Sequence, residues 1–220
     1  MNVTKISATT LSLYESCPHC FMLKSKGYVP PPDTLAAFDI GSAVHGAIAS
    51  YHKKEKFEFK SRQTEELFKL YERRYPDPTF NGAPMDIEKQ IEAKLIRPDY
   101  KRDLGITLTG IPDLLLRDRI FEHKTSSVDY TQHQVDHHFQ VTAYAWLFYS
   151  NYRRIPKIYF NVFNKKKNEL RILITERDME KFLAWFDRVE FILNGIRNDW
   201  FFPSDSYWHM FKECPSYSSK

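Results

Sequence analysis

Two runs rich in branched apolar residues, Ile106 to Leu116 and Ile120 to Lys124, are separated only by Arg117-Asp118-Arg119. Runs of this length and composition read as β-strands. A hairpin turning on Arg117-Asp118 sets Asp113 directly opposite Glu122, and a four-residue loop keeps that pairing. A three-residue loop shifts it by one and sets Asp113 across from His123. The turn is not of the Asn-Gly type that tight hairpins favour, so the register depends on an even loop. Side chains alternate along a strand, which sends Glu122 and Lys124 to one side and Phe121 and His123 to the other. Ile111, Asp113 and Leu115 share a face of the preceding strand in the same way.

Opposed carboxylates on a sheet repel unless positive charge lies between them. Lys124 supplies one such charge and a divalent cation would supply more. Carboxylate oxygens with positions left open to water suit Mg²⁺ or Mn²⁺. That arrangement serves phosphodiester hydrolysis, with a polarised phosphoryl oxygen, an acidified water and a lysine to orient it or offset charge. The alternative is a salt bridge at a sheet edge, and a charge cluster alone does not decide between the two.

The rest of the chain divides by its punctuation. Val29-Pro30-Pro31-Pro32-Asp33 is read as extended, separating two early helical segments. Helices are expected over Ala36 to Lys54, Ser61 to Arg74, Asp86 to Leu95 and Thr131 to Tyr149. Strands are expected over Lys157 to Phe163 and Leu170 to Ile174, and a last helix over Glu176 to Ile196 with Thr175 as its cap. The fold class is therefore α/β, a mixed β-sheet core flanked by helices with an N-terminal helical segment. A length of 220 residues suits one domain: 1–100 helical, 101–198 the core, and 199–220 a tail packed on the body.

Composition narrows the function. Charged residues at 27% and hydrophobic residues at 42% are ordinary globular composition and argue against a disordered chain. Only 7 glycines are present and no G-x-G-x-x-G or Walker sequence occurs, which argues against nucleotide hydrolysis and dinucleotide binding. The net charge of +4 is too small to indicate nucleic acid by itself. Its clustering says more: Arg153, Arg154, Lys157, Lys165, Lys166, Lys167 and Arg171 stand against one acid, Glu169. Such a cluster suits phosphate contacts, although a solvated loop is the commoner meaning of a lysine run. No signal-peptide or membrane-spanning run is seen, and three cysteines fit a reducing compartment. The expected location is the cytoplasm of a bacterium, or of a host cell for a phage protein, with no membrane partner.

The window from Gly110 to Thr125 resembles motifs II and III of the PD-(D/E)XK nuclease superfamily, with Asp113 as the first acid and Glu122-His123-Lys124 as the E-x-K. Three further features match its RecB-type branch, in order. Ile6 to Leu11 followed by Tyr14-Glu15-Ser16-Cys17-Pro18 resembles the opening helix, Gly41-Ser42-Ala43-Val44-His45 the G-x-x-x-H, and Gln140-Val141-Thr142-Ala143-Tyr144 the Q-x-x-x-Y. The motifs span Ile6 to Tyr149, and the rest matches by outline alone. The resemblance implies a restriction-endonuclease-like core, and metal ligation by His45, Asp113, Glu122 and the His123 carbonyl. It also implies catalysis by Asp113, Glu122 and Lys124, and positioning of DNA by Gln140 and Tyr144, which share a helix face. Taken outside the family, His45 reads as an ordinary helix histidine, and Gln140 with Tyr144 as a polar residue beside a core tyrosine.

Cys17-Pro18-His19-Cys20, His209 and Cys214 form a weaker signal. Cys17 stands where RecB-type nucleases place the N-terminal ligand of a 4Fe-4S cluster, and Cys214-Pro215-Ser216-Tyr217 resembles the C-terminal part of that motif. The other C-terminal cysteines are absent, so a complete cluster is not expected. Cys17, Cys20, His209 and Cys214 are ligands of the right type for zinc. The preferred expectation is a relic whose closure is made by packing. His133 and His137 lack the glutamate of H-E-x-x-H and read, with His138, as polar surface near the site.

The functional expectation is a Mg²⁺- or Mn²⁺-dependent deoxyribonuclease, and more specifically an exonuclease. It would act on single- or double-stranded DNA ends in recombination, repair, or phage or CRISPR DNA processing, with Lys165 to Lys167 tracking the backbone and a helicase or recombination protein as partner. Two alternatives stand beside it. One is a catalytically silent DNA-binding module of the same fold, and the other a hydrolase of small phosphoesters with a closed pocket and little salt dependence.

Overall fold

The structure is a computed structural model describing residues 3–83, 85–204 and 209–215, with the Ala37 side chain outside the description. The chain opens with a short strand, β1 (Lys5–Ser7), that runs into α1 (Ala8–Ser16). The Ser7 hydroxyl accepts from the Thr10 amide at 3.0 Å and caps that helix. Cys17 ends α1 and caps α2 (Pro18–Ser25), where Pro18 takes the first-turn position that needs no N–H. The proline run is shorter as a spacer than expected. Pro31 caps α3 (Pro32–Lys53), so Asp33 lies inside the helix, near its positive end. After it comes α4 (Arg62–Arg74), capped by Ser61.

The expected helix over Asp86 to Leu95 is instead two strands, β2 (Met85–Ile87) and β3 (Ile91–Arg97). Ile91, Ala93 and Leu95 turn inward in alternation with Glu92 and Lys94, and β3 pairs antiparallel with β4 (Arg102–Gly110). The stretch 1–100 is therefore not wholly helical: it contributes β1, β2 and β3 to the sheets. The single expected strand from Ile106 to Leu116 is likewise divided. It breaks at Ile111-Pro112-Asp113, where proline has no N–H for a ladder, into β4 and β5 (Leu114–Leu116). These two pieces belong to different sheets.

Next come β6 (Arg119–Ser126), α5 (Gln132–Asp136) and α6 (Phe139–Tyr152). The expected continuous helix Thr131 to Tyr149 breaks because His138 leaves helical geometry and its side chain accepts from the Val141 amide at 3.4 Å. β7 (Lys157–Asn164), β8 (Glu169–Thr175) and α7 (Met179–Arg197) follow. Asp178, not Thr175, caps α7.

The strands form a three-stranded sheet, β1-β4-β3, and a mixed five-stranded sheet, β2-β5-β6-β7-β8. In the latter β6 and β7 run parallel, joined by the crossover through α5 and α6, and the other pairs are antiparallel. One face of the five-stranded sheet buries Ile120, Ile158, Phe160 and Val162 in the main core with α1, α6 and α7. The other buries Phe163 with Val44, Ile48, Leu67 and Tyr71 of α3 and α4. Gly110 lets α6 approach the end of β4. A Cβ there would come within 2.7 Å of Leu147 and 2.8 Å of the Tyr144 ring. Phe211 and Cys214, from the expected tail, are buried in the main core, while residues 216–217 lie outside the described residues. No helix among the described residues is long and apolar enough to cross a membrane.

Candidate active site

The hairpin β5–β6 turns on Arg117-Asp118 and pairs Leu114 with Phe121 and Leu115 with Ile120. That register is the one an even loop requires, and it ends at Leu114, one residue after Asp113. Asp113 lies in the break between the two sheets, and its carbonyl accepts from the Glu88 amide at 3.0 Å. Its carboxylate bridges two elements: Oδ2 accepts from the His123 amide at 2.6 Å, and Oδ1 lies 3.0 Å from Nδ1 of His45 on α3. Burial raises the Asp113 carboxyl, but the bond to His45 and the His123 N–H outweigh it and hold it at about 2. The same carboxylate lifts the His45 imidazole above its ordinary range against the pull of burial.

Glu122 and Lys124 leave β6 on one side, toward α6. The Lys124 ammonium donates to Glu122 Oε1 at 2.6 Å and to Gln140 Oε1 at 3.0 Å. Glu122 is only 3% exposed, and burial pushes its carboxyl up to about 7, with the Lys124 charge opposing and the Asp113 charge assisting. Burial works against the charged form of Lys124, and Glu122 more than offsets it, so the ammonium is held above its usual range.

Gln140 has no freedom in this network. A lysine ammonium only donates, so the carbonyl oxygen must face Lys124. The amide nitrogen then donates to Thr9 Oγ1 at 3.0 Å and to the Tyr144 hydroxyl at 2.9 Å. Both Gln140 and Tyr144 are buried, and these bonds run to protein atoms, so their observed work is to fix the lysine. Thr9 received no role from the sequence, although it stands within the opening motif. Asn161 is a second omission. It donates to His123 Nδ1 at 3.2 Å and accepts from the Tyr75 hydroxyl at 3.2 Å. That bond keeps Nδ1 unprotonated, and burial takes the imidazole down to about 3. Phe121 and His123 do face away from Glu122 and Lys124, their rings lying against Tyr75 and Tyr71.

The lysine turn Lys165 to Lys167 joins β7 to β8. Lys124 is in register with Val162 and Ser126 with Asn164, so the turn lies just past the lysine end of β6. Asn164 Oδ1 accepts from the Lys166 and Lys167 amides, both at 3.0 Å, and the Lys167 side chain is paired with Asp129. His133 and His137, on and just after α5, are exposed, with ring centroids 4.4 Å apart.

His45 of α3 meets Asp113 of the inter-sheet break at 3.0 Å, and Glu122 of β6 lies near enough to interact electrostatically with both. An imidazole and two carboxylates are a donor set for Mg²⁺ or Mn²⁺. The buried Glu122 fits such an ion, since burial disfavours its ionised form and a cation beside it would favour that form.

Residues 5–217 match the PD-(D/E)XK nuclease superfamily. The fold is similar to that of SSO0001, with 15% identity, a TM-score of 0.51, and coverage of 99% of this chain and 89% of that one. It is also similar to a putative exonuclease from Eubacterium rectale, with 15% identity, a TM-score of 0.58, and coverage of 91% and 84%. Comparison with curated proteins found no match.

Proposed function

This chain belongs to the PD-(D/E)XK nuclease superfamily, and we propose that it is a Mg²⁺- or Mn²⁺-dependent deoxyribonuclease of the RecB-type branch that degrades DNA from its ends. The observation that carries the reading is the Lys124 ammonium bound to both Glu122 and Gln140, beside a His45–Asp113 pair. His45, Asp113, Glu122 and the His123 carbonyl are the proposed metal ligands. The ion supplies polarisation of a phosphoryl oxygen and a more acidic water. Lys124 orients the attacking water and offsets negative charge as its oxygen bonds to phosphorus and the ester P–O bond breaks. Gln140, backed by Tyr144 and Thr9, positions Lys124 and, with Tyr144, remains a proposed positioning residue for the DNA.

The basic turn Lys165 to Lys167 is the proposed track for the DNA backbone, with Lys165 and Lys166 the available charges because Lys167 is committed to Asp129. End-directed action is supported by the order of the four RecB-type motifs and by the name of the Eubacterium rectale protein of similar fold. The proposed setting is bacterial or phage DNA recombination, repair or CRISPR processing in the cytoplasm, with a helicase or recombination protein as partner.

The test is degradation of end-labelled single- and double-stranded DNA in Mg²⁺, Mn²⁺ or chelator, comparing the protein with Lys124→Ala. Metal-dependent release of label should fall by about 10²- to 10³-fold in the variant. DNA binding without cleavage of any substrate by the unmodified protein would reject the enzyme and leave the silent DNA-binding module.

A further inference from the structure

Away from the active site, Cys17 and Cys20 at the α1–α2 junction meet His209 and Cys214 from the C-terminal segment. One ligand atom of each lies within 4.8 Å of every other, and all four residues are buried. Cys17 Sγ is 3.8 Å from Cys214 Sγ, and His209 Nδ1 is 3.7 Å from Cys20 Sγ and 3.3 Å from Cys214 Sγ. A tetrahedral zinc ion has Zn–S bonds of about 2.3 Å and Zn–N bonds of about 2.05 Å, which put sulfurs about 3.8 Å apart and a sulfur and a nitrogen about 3.6 Å apart. The Cys17–Cys214, Cys20–His209 and Cys214–His209 spacings have this size. A four-iron cluster interposes its own cage and holds its ligands much further apart. A disulfide between Cys17 and Cys214 would need sulfurs about 2.05 Å apart.

We propose that Cys17, Cys20, His209 and Cys214 form a structural zinc site, separate from the nuclease centre and independent of the nuclease reading.

Packing alone explains the cluster poorly. Buried thiols are inert fillers, but His209 is a polar ring turned with Nδ1 toward two sulfurs, and its Nε2 has no partner among the described residues. A cation at the centre gives Nδ1 and the three sulfurs a shared partner, and offsets the cost of burying them. The backbone is arranged for it as well. Cys17 caps α2, and its sulfur accepts from the Cys20 amide at 3.4 Å, an environment that favours thiolate. The site would staple residues 197 apart in the chain, tying the C-terminal segment to the end of α1. The same helix carries Thr9, which bonds to Gln140, so the staple also steadies the support of Lys124. This replaces the expectation of a relic closed by packing.

The test is elemental analysis of full-length protein purified without metal-affinity resin or chelator. About one zinc per chain is expected, retained in Asp113→Asn and lost in the Cys17→Ser/Cys214→Ser double variant. Should that variant fail to fold, protein grown with Co²⁺ in zinc-poor medium provides the second reading. Thiolate-to-cobalt charge-transfer absorption is expected, with thiols that react with a disulfide reagent only after a strong chelator is added. Folded protein without metal, iron with labile sulfide, zinc lost in Asp113→Asn, or a Cys17–Cys214 disulfide would each overturn the proposal.

Discussion

Glu122→Gln should make the metal-free protein more stable at alkaline pH while abolishing cleavage. Burial lifts the Glu122 carboxyl from 4.5 to about 7 even with Lys124 bonded to it. The unfolded chain loses this proton above pH 4.5, whereas the folded chain keeps it until about pH 7. Between these values the folded state binds more protons, so stability falls as pH rises. At about 1.4 kcal/mol for each pH unit, the full cost above pH 7 is about 3 kcal/mol, and it vanishes below pH 4.5. Glutamine keeps the shape of the protonated acid and does not titrate. The variant should therefore match the parent near pH 4.5 and exceed it by about 3 kcal/mol at pH 8. Urea unfolding followed by tryptophan fluorescence at pH 5, 6, 7 and 8, without added Mg²⁺ or Mn²⁺, measures the gap. Manganese at about 100 times its dissociation constant should then narrow it by up to about 2.7 kcal/mol, through binding to the parent alone. Parallel stability curves, or a variant no more stable at pH 8, would refute the claim that ionising Glu122 carries this cost.

Gly195→Ala should destabilise the protein by about 2 kcal/mol in urea unfolding, although alanine is the better helix former by about 1 kcal/mol. The added Cβ would fall 2.0 Å from the Tyr14 hydroxyl, which donates to the Trp200 carbonyl at 2.6 Å. Tyr14→Phe in the same background should recover part of the loss, and a stabilised single variant would show that the close approach is not real. Gln140→Leu should lower kcat about 10- to 100-fold while DNA affinity in a fluorescence-anisotropy titration stays within about twofold, because it releases Lys124 without touching the proposed track. Weakened binding at unchanged kcat would move Gln140 from positioning the lysine to contacting the strand.

Local sequence determined what local physics can determine. The alternation along Phe121-Glu122-His123-Lys124 set which side chains share a face, and a two-residue turn at Arg117-Asp118 set the register that pairs Leu114 with Phe121. Both follow from a period of two and need no distant partner. The helix mistakenly read over Asp86 to Leu95 shows where that reasoning ends. Ile87, Ile91 and Leu95 are four apart, a spacing that serves one face of a helix and one face of a strand alike. Pairing with Leu114 to Leu116 and with β4 made these residues strands. Pro112 could be seen to break a strand, but not that its two halves would join different sheets. His45 stood in a motif, yet its approach to Asp113, 68 residues away, exists only because α3 packs on the sheet. Thr9, Gln140 and Lys124 form one network from three elements, and Cys17 meets Cys214 across nearly the whole chain. Hydrophobic burial is non-directional, so a single sequence marks which faces are buried but not which buried faces meet; that choice belongs to the packed tertiary structure.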